Sequence, residues 1–214
     1  MPPSTPDPTG KPNRSGVATR AKIVDAAIVV FAEKGFAGFT LQAVADRAGV
    51  FYGNVTHHYP TRDKLIEAMI EASFAVYRAR FDSLVVSLDT HQGGPIRALI
   101  GWFLDDAFVG DTPVFLELWA MSSRMPYVAD GLRRLYDDAL DTSMRTLGVE
   151  PYAESSRRFR GSLYLLSAVM EGTMCLFFNR DRADGVYDGF RREAIDTLVP
   201  LLEARLAEAK RDAG

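Results

Sequence analysis

The chain has 214 residues, 47% of them hydrophobic, and its 25 basic and 28 acidic side chains leave a net charge of −3. That length and apolar content suffice for a small domain plus a larger one, while the negative balance excludes a protein that coats nucleic acid by charge alone. The single cysteine, Cys175, excludes a disulfide framework and fits a reducing cytoplasm, with a buried structural thiol as its expected role.

In chain order, residues 1–18 are rich in Pro, Ser, Thr and Gly and lack the apolar run of a signal peptide, so they are expected to form a disordered N-terminal extension. Its Lys11 and Arg14, with Arg20 after them, are candidates to brush DNA, although an inert solvated extension is the simpler reading. A helical run, TRAKIVDAAIVVFAEKGFAGFT, follows. Thr40 then sits where a hydroxyl caps the next helix, in which Leu41, Val44, Ala45 and Ala48 recur at helical spacing. Gly49 ends that helix, because a residue without a Cβ enters left-handed backbone space without strain, and Val50 packs beneath the turn. A second short helix begins near Tyr52. Val55 and Tyr59 face inward, Tyr52, Gly53, Asn54, Thr56, His57 and His58 lie on its outer or end surfaces, and Pro60 closes it. Two short helices around a tight turn form a DNA-reading pattern.

The exposed residue types suit duplex recognition. Asn54 is the best base reader, since an amide pairs with both N6 and N7 of adenine; Gly53 lets the backbone approach closely, and Tyr52 reaches a thymine methyl or a phosphate. His57 and His58 are not a metal site, because adjacent helical residues point about 100° apart and no nearby Cys or Glu completes a ligand set. Residues 1–64 carry 8 basic against 5 acidic side chains, so the positive end of the chain is this end.

From residue 63 to about 88 the helical pattern is unbroken, with Leu65, Met69, Ala72 and Val76 on one stripe and Ile66, Ile70, Phe74 and Tyr77 on another. Beyond a loop at 89–94, helices are expected at 95–108, 113–124, 126–147, 153–179 and 187–210, three of them with proline at or near the start. There is no strand pattern. Trp102, Phe103, Phe108, Phe115, Trp119, Met121, Met125 and Tyr127 make an adaptable apolar wall that either lines a small-molecule pocket or fills the core. Glu117 and Glu171 stand in apolar surroundings, so each is exposed, paired to an arginine such as Arg124 or Arg160, or turned into a cavity. In the next helix Leu163, Leu166, Met170, Met174 and Phe177 run along one face and Leu165, Val169, Gly172 and Leu176 along another, too apolar for a solvated side. Ile195, Leu198, Leu202 and Leu206 give the last helix a similar stripe, and Pro200 should kink it. No stretch approaches 18 uninterrupted apolar residues, so no membrane partner is expected.

The LQAVADRAGV block, the G-x-x-x-HHYP-T-R helix and the DKLIEAMIE opening of the next helix resemble the N-terminal DNA-binding domain of TetR-family transcriptional regulators, over residues 19 to about 77. The resemblance implies an all-α protein: a three-helix helix-turn-helix DNA-binding domain at 19–65, then a helical ligand-binding and dimerisation domain at 66–214. By the family pattern, Thr40, Thr56, His57, His58 and Arg62 fall at backbone-contacting positions, with Lys64 and Lys22 as weaker candidates. Phe51 departs from the small capping residue usual at its place, and Thr56 from a tyrosine, which shortens the reach toward phosphate. The implied ligand site comprises Trp102, Phe103, Phe115, Glu117, Trp119, Met121, Met125, Tyr127, Met170, Glu171 and Met174, and the dimer interface Leu163, Leu166, Phe177, Ile195, Leu198 and Leu202. The expected protein is a cytoplasmic homodimeric repressor without metal or cofactor. It binds double-stranded operator DNA and is released by a small apolar or aromatic effector. Control by a protein partner is one alternative. The other, a small helical enzyme, lacks a phosphate loop, a metal-spaced ligand set or a nucleophile motif.

Overall fold

The computed structural model describes residues 14–109 and 112–212, and among them the chain is helical, with no strand. Nine α-helices follow one another: α1 (Arg14–Gly38), α2 (Leu41–Ala48), α3 (Tyr52–His58), α4 (Arg62–Ser87), α5 (Pro95–Asp106), α6 (Thr112–Ser122), α7 (Pro126–Thr146), α8 (Arg157–Phe177) and α9 (Val186–Arg211). The first thirteen residues of the expected disordered extension lie outside the described residues. Residues 14–18, expected to be disordered too, belong to α1. The chain divides into two compact units, Met1–Ser73 and Phe74–Gly214, at a boundary within α4.

In the first unit, Ile23, Ala27, Phe31, Phe39, Val44, Ala45, Val55, Leu65, Ile66 and Met69 are sealed from solvent. Phe31 and Phe39 meet edge to face at 5.7 Å, an arrangement that adds to the area they bury. Gly35 (φ 62°) breaks α1 one turn before its end, because its positive φ is open to glycine at no steric cost.

In the second unit, α8 packs on α9, α5 on both, and α6 and α7 pair. Tyr187 of α9 is buried among Phe108, Phe177 and Phe190, and its hydroxyl donates to the Leu104 carbonyl at 3.0 Å. The core therefore accepts the ring without stranding a polar group. Arg191 forks onto both oxygens of Asp105, at 2.9 and 2.8 Å, and Arg80 does the same to Asp106, at 3.0 and 3.3 Å. α9 runs through Pro200 without interruption; the proline is exposed, where its missing N–H leaves the Asp196 carbonyl to solvent.

Candidate nucleic-acid interface and effector cavity

The helix-turn-helix is built from short-range bonds. The Thr40 side chain accepts from the Ala43 amide at 3.1 Å, satisfying a donor that the first turn of α2 leaves over. At the other end Gly49 is left-handed (φ 61°, ψ 42°), its amide donates to Asp46 and that of Val50 to Ala45. That double closure stops α2 and redirects the chain into α3 within two residues. Val44, Ala45 and Ala48 are buried beneath the turn and Leu41 is half-buried.

α3 buries Val55, and Tyr59 just after it is 3% exposed, its hydroxyl accepting from Arg20 Nε at 3.1 Å. The opposite face carries Tyr52, Gly53, Asn54 and His57, all exposed. Thr56 and His58 are half-buried, and the Thr56 hydroxyl donates back to the carbonyls of Tyr52 and Gly53. Such a hydroxyl is occupied within its own helix. Arg62 is turned inward as well: its guanidinium donates to the carbonyls of Phe39, at 2.8 Å, and Phe36, and lies 4.0 Å over the Phe36 ring. The expected phosphate contact at Arg62 gives way to a bond that ties the end of α1 to the start of α4. Lys64 is exposed and pairs with Glu67 at 2.6 Å, while Lys22 is exposed.

Phe51 is the residue whose role the sequence reading understated. It precedes α3 in extended conformation, supplies no side-chain cap, and is 85% exposed, more than any other large hydrophobic residue of this unit. The ring is thus held in water at the tip of this helix, beside Tyr52. The signal was present in the sequence as a departure from the usual small residue.

In the second unit, the largely apolar cavity is a space of about 650 Å³ walled by α6, α7 and α8. Of the expected ligand residues it holds Trp119 and Glu171. Both carboxylate oxygens of Glu171 are shut off from solvent without a well-formed hydrogen bond, the Trp119 side chain being the donor set toward them. Burial pushes this carboxyl up to about 8, with a contribution from the Trp119 side chain offsetting part of the rise. Met170, Met174 and Phe115 border a narrow cleft with Tyr77, Arg80 and Asp106, and Trp102 faces a further cavity of about 630 Å³ with Arg97 and Arg191. Tyr77 is held above the usual phenol range by burial, then by the Asp106 and Glu171 carboxylates. Phe103 and Met121 belong to the core, while Glu117, Met125 and Tyr127 are half-buried and line none of these spaces.

α7 supplies the wall that sequence reasoning missed: Ala129, Leu132, Arg133 and Tyr136, opposite Tyr164, Ser167, Ala168 and Cys175 of α8. Each set keeps i, i+3, i+4 spacing, but the attention given to Met and aromatic residues passed over it. Cys175, expected to be buried, is exposed. Arg160, a conceivable partner for the glutamates, is instead engaged by Asp141 and by Asp137 at 3.2 Å, and Tyr164 donates to Asp137.

The six expected interface residues, Leu163, Leu166, Phe177, Ile195, Leu198 and Leu202, are all less than 9% exposed, packed inside their own unit. They fill the monomer core because α8 and α9 turn those stripes toward each other and toward α5. The face left outward on α8 is the second stripe: Leu165 and Leu176 are exposed, with Val169 and Gly172 half-buried between them.

Residues 23–69 match the model of the bacterial regulatory proteins of the tetR family. These residues form a TetR-family DNA-binding domain. The chain is 32% identical to the HTH-type transcriptional regulator CymR of Pseudomonas putida over 120 residues, which is 54% of this chain and 57% of that protein. To the HTH-type transcriptional repressor KstR2 of Mycobacterium tuberculosis it is 32% identical over 78 residues, covering 35% and 39%. The matches thus span about half or less of these two curated relatives. In three dimensions it is similar to a Mesorhizobium loti protein assigned to the TetR family, with TM-score 0.70 and 19% identity over 90% of this chain and 96% of that one. It is also similar to the multidrug binding protein EbrR complexed with malachite green, with TM-score 0.58 and 26% identity over 87% and 98%. The fold of these proteins accordingly extends through the second unit. Among the described residues no helix is long and apolar enough to cross a membrane, and no group of three or more His, Cys, Asp and Glu is placed to hold a metal ion.

Proposed function

We propose that this TetR-family chain is a homodimeric, sequence-specific transcriptional regulator of the cytoplasm, acting as a repressor at a near-palindromic operator and released by a small molecule. The observation that carries this reading is the outward face of α3, where Tyr52, Gly53, Asn54 and His57 are all exposed behind the Gly49 turn. Asn54 reads an adenine edge, Tyr52 and Phe51 meet methyl groups or phosphate, and Thr40, His57 and Lys22 set the register on the backbone. Regulation of this kind accords with the similarity to CymR, a transcriptional regulator, and to KstR2, a transcriptional repressor.

Dimerisation follows from the outward stripe of α8. Leu176 is 72% exposed, and a second copy laid on this stripe removes it from water. Two recognition helices then enter major grooves whole turns apart, roughly 34–36 Å per turn. An effector in the apolar cavity lowers operator affinity by as much as it favours the non-binding state; a hundredfold coupling is about 2.7 kcal/mol. Glu171 and Trp119 are the expected ligand residues that the cavity retains.

Selection of bound sequences from random duplex DNA tests the proposal. A two-fold-related motif bound far more tightly than random duplex is the expected outcome; failure of the folded dimer to enrich any motif would refute it. For the interface, Leu176→Glu should turn the dimer into a monomer in sedimentation without lowering its melting temperature. A Leu176→Glu protein that stays dimeric would remove the α8 stripe from the interface.

A further inference from the structure

We propose that the cavity between α6, α7 and α8 takes a bulky organic cation, held by the carboxylate of Glu171 and the ring faces of Trp119, Tyr136 and Tyr164. This rests on the reading of that cavity as the effector site and names the chemistry of the effector.

Two independent features point the same way. First, Glu171 is an acid in an apolar wall, its oxygens out of contact with solvent and without a well-formed hydrogen bond, the Trp119 side chain being the donor set toward them. A carboxyl left in that state costs free energy in the empty protein, and a positive charge brought beside it recovers that cost. Turning the head group into the cavity requires a change of side-chain rotamer and the loss of no more than the Trp119 contact. Second, the walls around it are aromatic. Trp119 and Tyr136 lie 5.8 Å apart at an interplanar angle of 52°, and Tyr164 stands on the same face of α8 as Glu171. Ring faces attract a cation and give an anion nothing, indole most of all. The volume, about 650 Å³, falls in the range of small-molecule sites. The cavity's own cation, Arg133, is drawn off by Asp130 at 2.6 Å.

Proton linkage distinguishes a cation from a neutral guest. The charged and titratable groups that act on Glu171 or share its cavity are Tyr77 of α4, Arg133 and Tyr136 of α7, and Tyr164 and Cys175 of α8. With its carboxyl pushed up to about 8 by burial, Glu171 is mostly protonated in the empty cavity at neutral pH. A cation favours the ionised form, so binding expels a proton, and affinity rises with pH until the carboxyl is already ionised at about 8. A neutral guest lacks that dependence.

The experiment is calorimetric titration of the full chain, without DNA, using two probes of the same shape and opposite charge, tetraphenylphosphonium and tetraphenylborate. The phosphonium should bind and the borate should not. Glu171→Gln, which keeps the volume, should weaken the phosphonium about tenfold or more at pH 8 and abolish the rise in affinity between pH 6 and pH 8. Trp119→Leu should weaken it at both pH values alike. Equal phosphonium affinity for the wild-type chain and a folded Glu171→Gln variant overturns the proposal, as does preference for the borate or no phosphonium binding at millimolar concentration. Since no DNA is present, these failures leave the operator selection untouched, and a chain that enriches a motif yet ignores the phosphonium loses only the cation.

Discussion

The helix-turn-helix of the first unit and the cavity of the second treat their polar side chains in different ways. In the first, polar side chains around the helix-turn-helix close on the backbone or on one another: Thr40 on Ala43, Arg20 on Tyr59, Arg62 on the carbonyls of Phe36 and Phe39. What remains outward on α3 is therefore held on a rigid base. In the second, the oxygens of Glu171 are buried without a well-formed hydrogen bond beside a cavity of about 650 Å³. Satisfied polar groups specify a shape, while an unsatisfied one beside a cavity stores free energy that a partner can release.

The largest effect that tests this contrast is expected at Arg62. Arg62→Leu keeps apolar contact with Phe36 but strands two carbonyls, and should destabilise the first unit by about 2–4 kcal/mol, read as a lowered denaturation midpoint. A loss within 0.5 kcal/mol, the ordinary scatter of surface changes, would assign Arg62 to the surface instead.

Glu171→Gln should act in the other direction. Its folded carboxyl sits at about 8 against an unperturbed 4.5, so the native state binds the extra proton and wild-type stability falls as pH rises between those values. The variant lacks that fall. Chemical denaturation at pH 5 and pH 8 should show Glu171→Gln gaining about 2–3 kcal/mol on the wild-type chain at the higher pH, less than the full shift because the site relaxes and admits water. Parallel pH profiles for the two proteins would mean the carboxyl is solvated.

On the outward face, Asn54→Ala should cost about 1–3 kcal/mol with the selected operator and much less with random duplex. Equal losses on both would make Asn54 a backbone contact. The smallest effect belongs to the turn: Gly49→Ala forces a side chain into left-handed backbone at φ 61° and should cost about 1–2 kcal/mol of stability, with no specificity change beyond the folded fraction. The nearest atom to an added Cβ is Lys22 Nζ at 3.9 Å, so any cost is backbone strain rather than a clash.

The helix-turn-helix was legible because its instructions are local. Thr40, Gly49 and Pro60 act on residues within one turn of themselves, and the Val55/Tyr59 spacing alone sets which side of α3 faces in. The helices of the second unit were legible for the same reason, to within two residues at most ends; the largest departure is the expected 153–179 helix, which opens with a 3₁₀ turn at Glu154–Ser156 before α8. The amphipathic stripes on α8 were legible as two apolar faces, but which one faces the monomer core depends on where α9 and α5 lie. Leu163 and Leu166 went inward, and Leu165 and Leu176 stayed out.

The sequence by itself thus determined the helical class, the position of the turn and the outward chemistry of α3, because periodicity and capping act over a few residues. Tertiary packing decided the rest. It drew Arg62 from the surface to two carbonyls at and just beyond the end of α1, exposed Cys175, chose α7 over the methionines as the wall of the cavity, and buried Glu171 without a well-formed hydrogen bond. Each of those outcomes turns on groups far apart in the chain, whose separation no local pattern encodes.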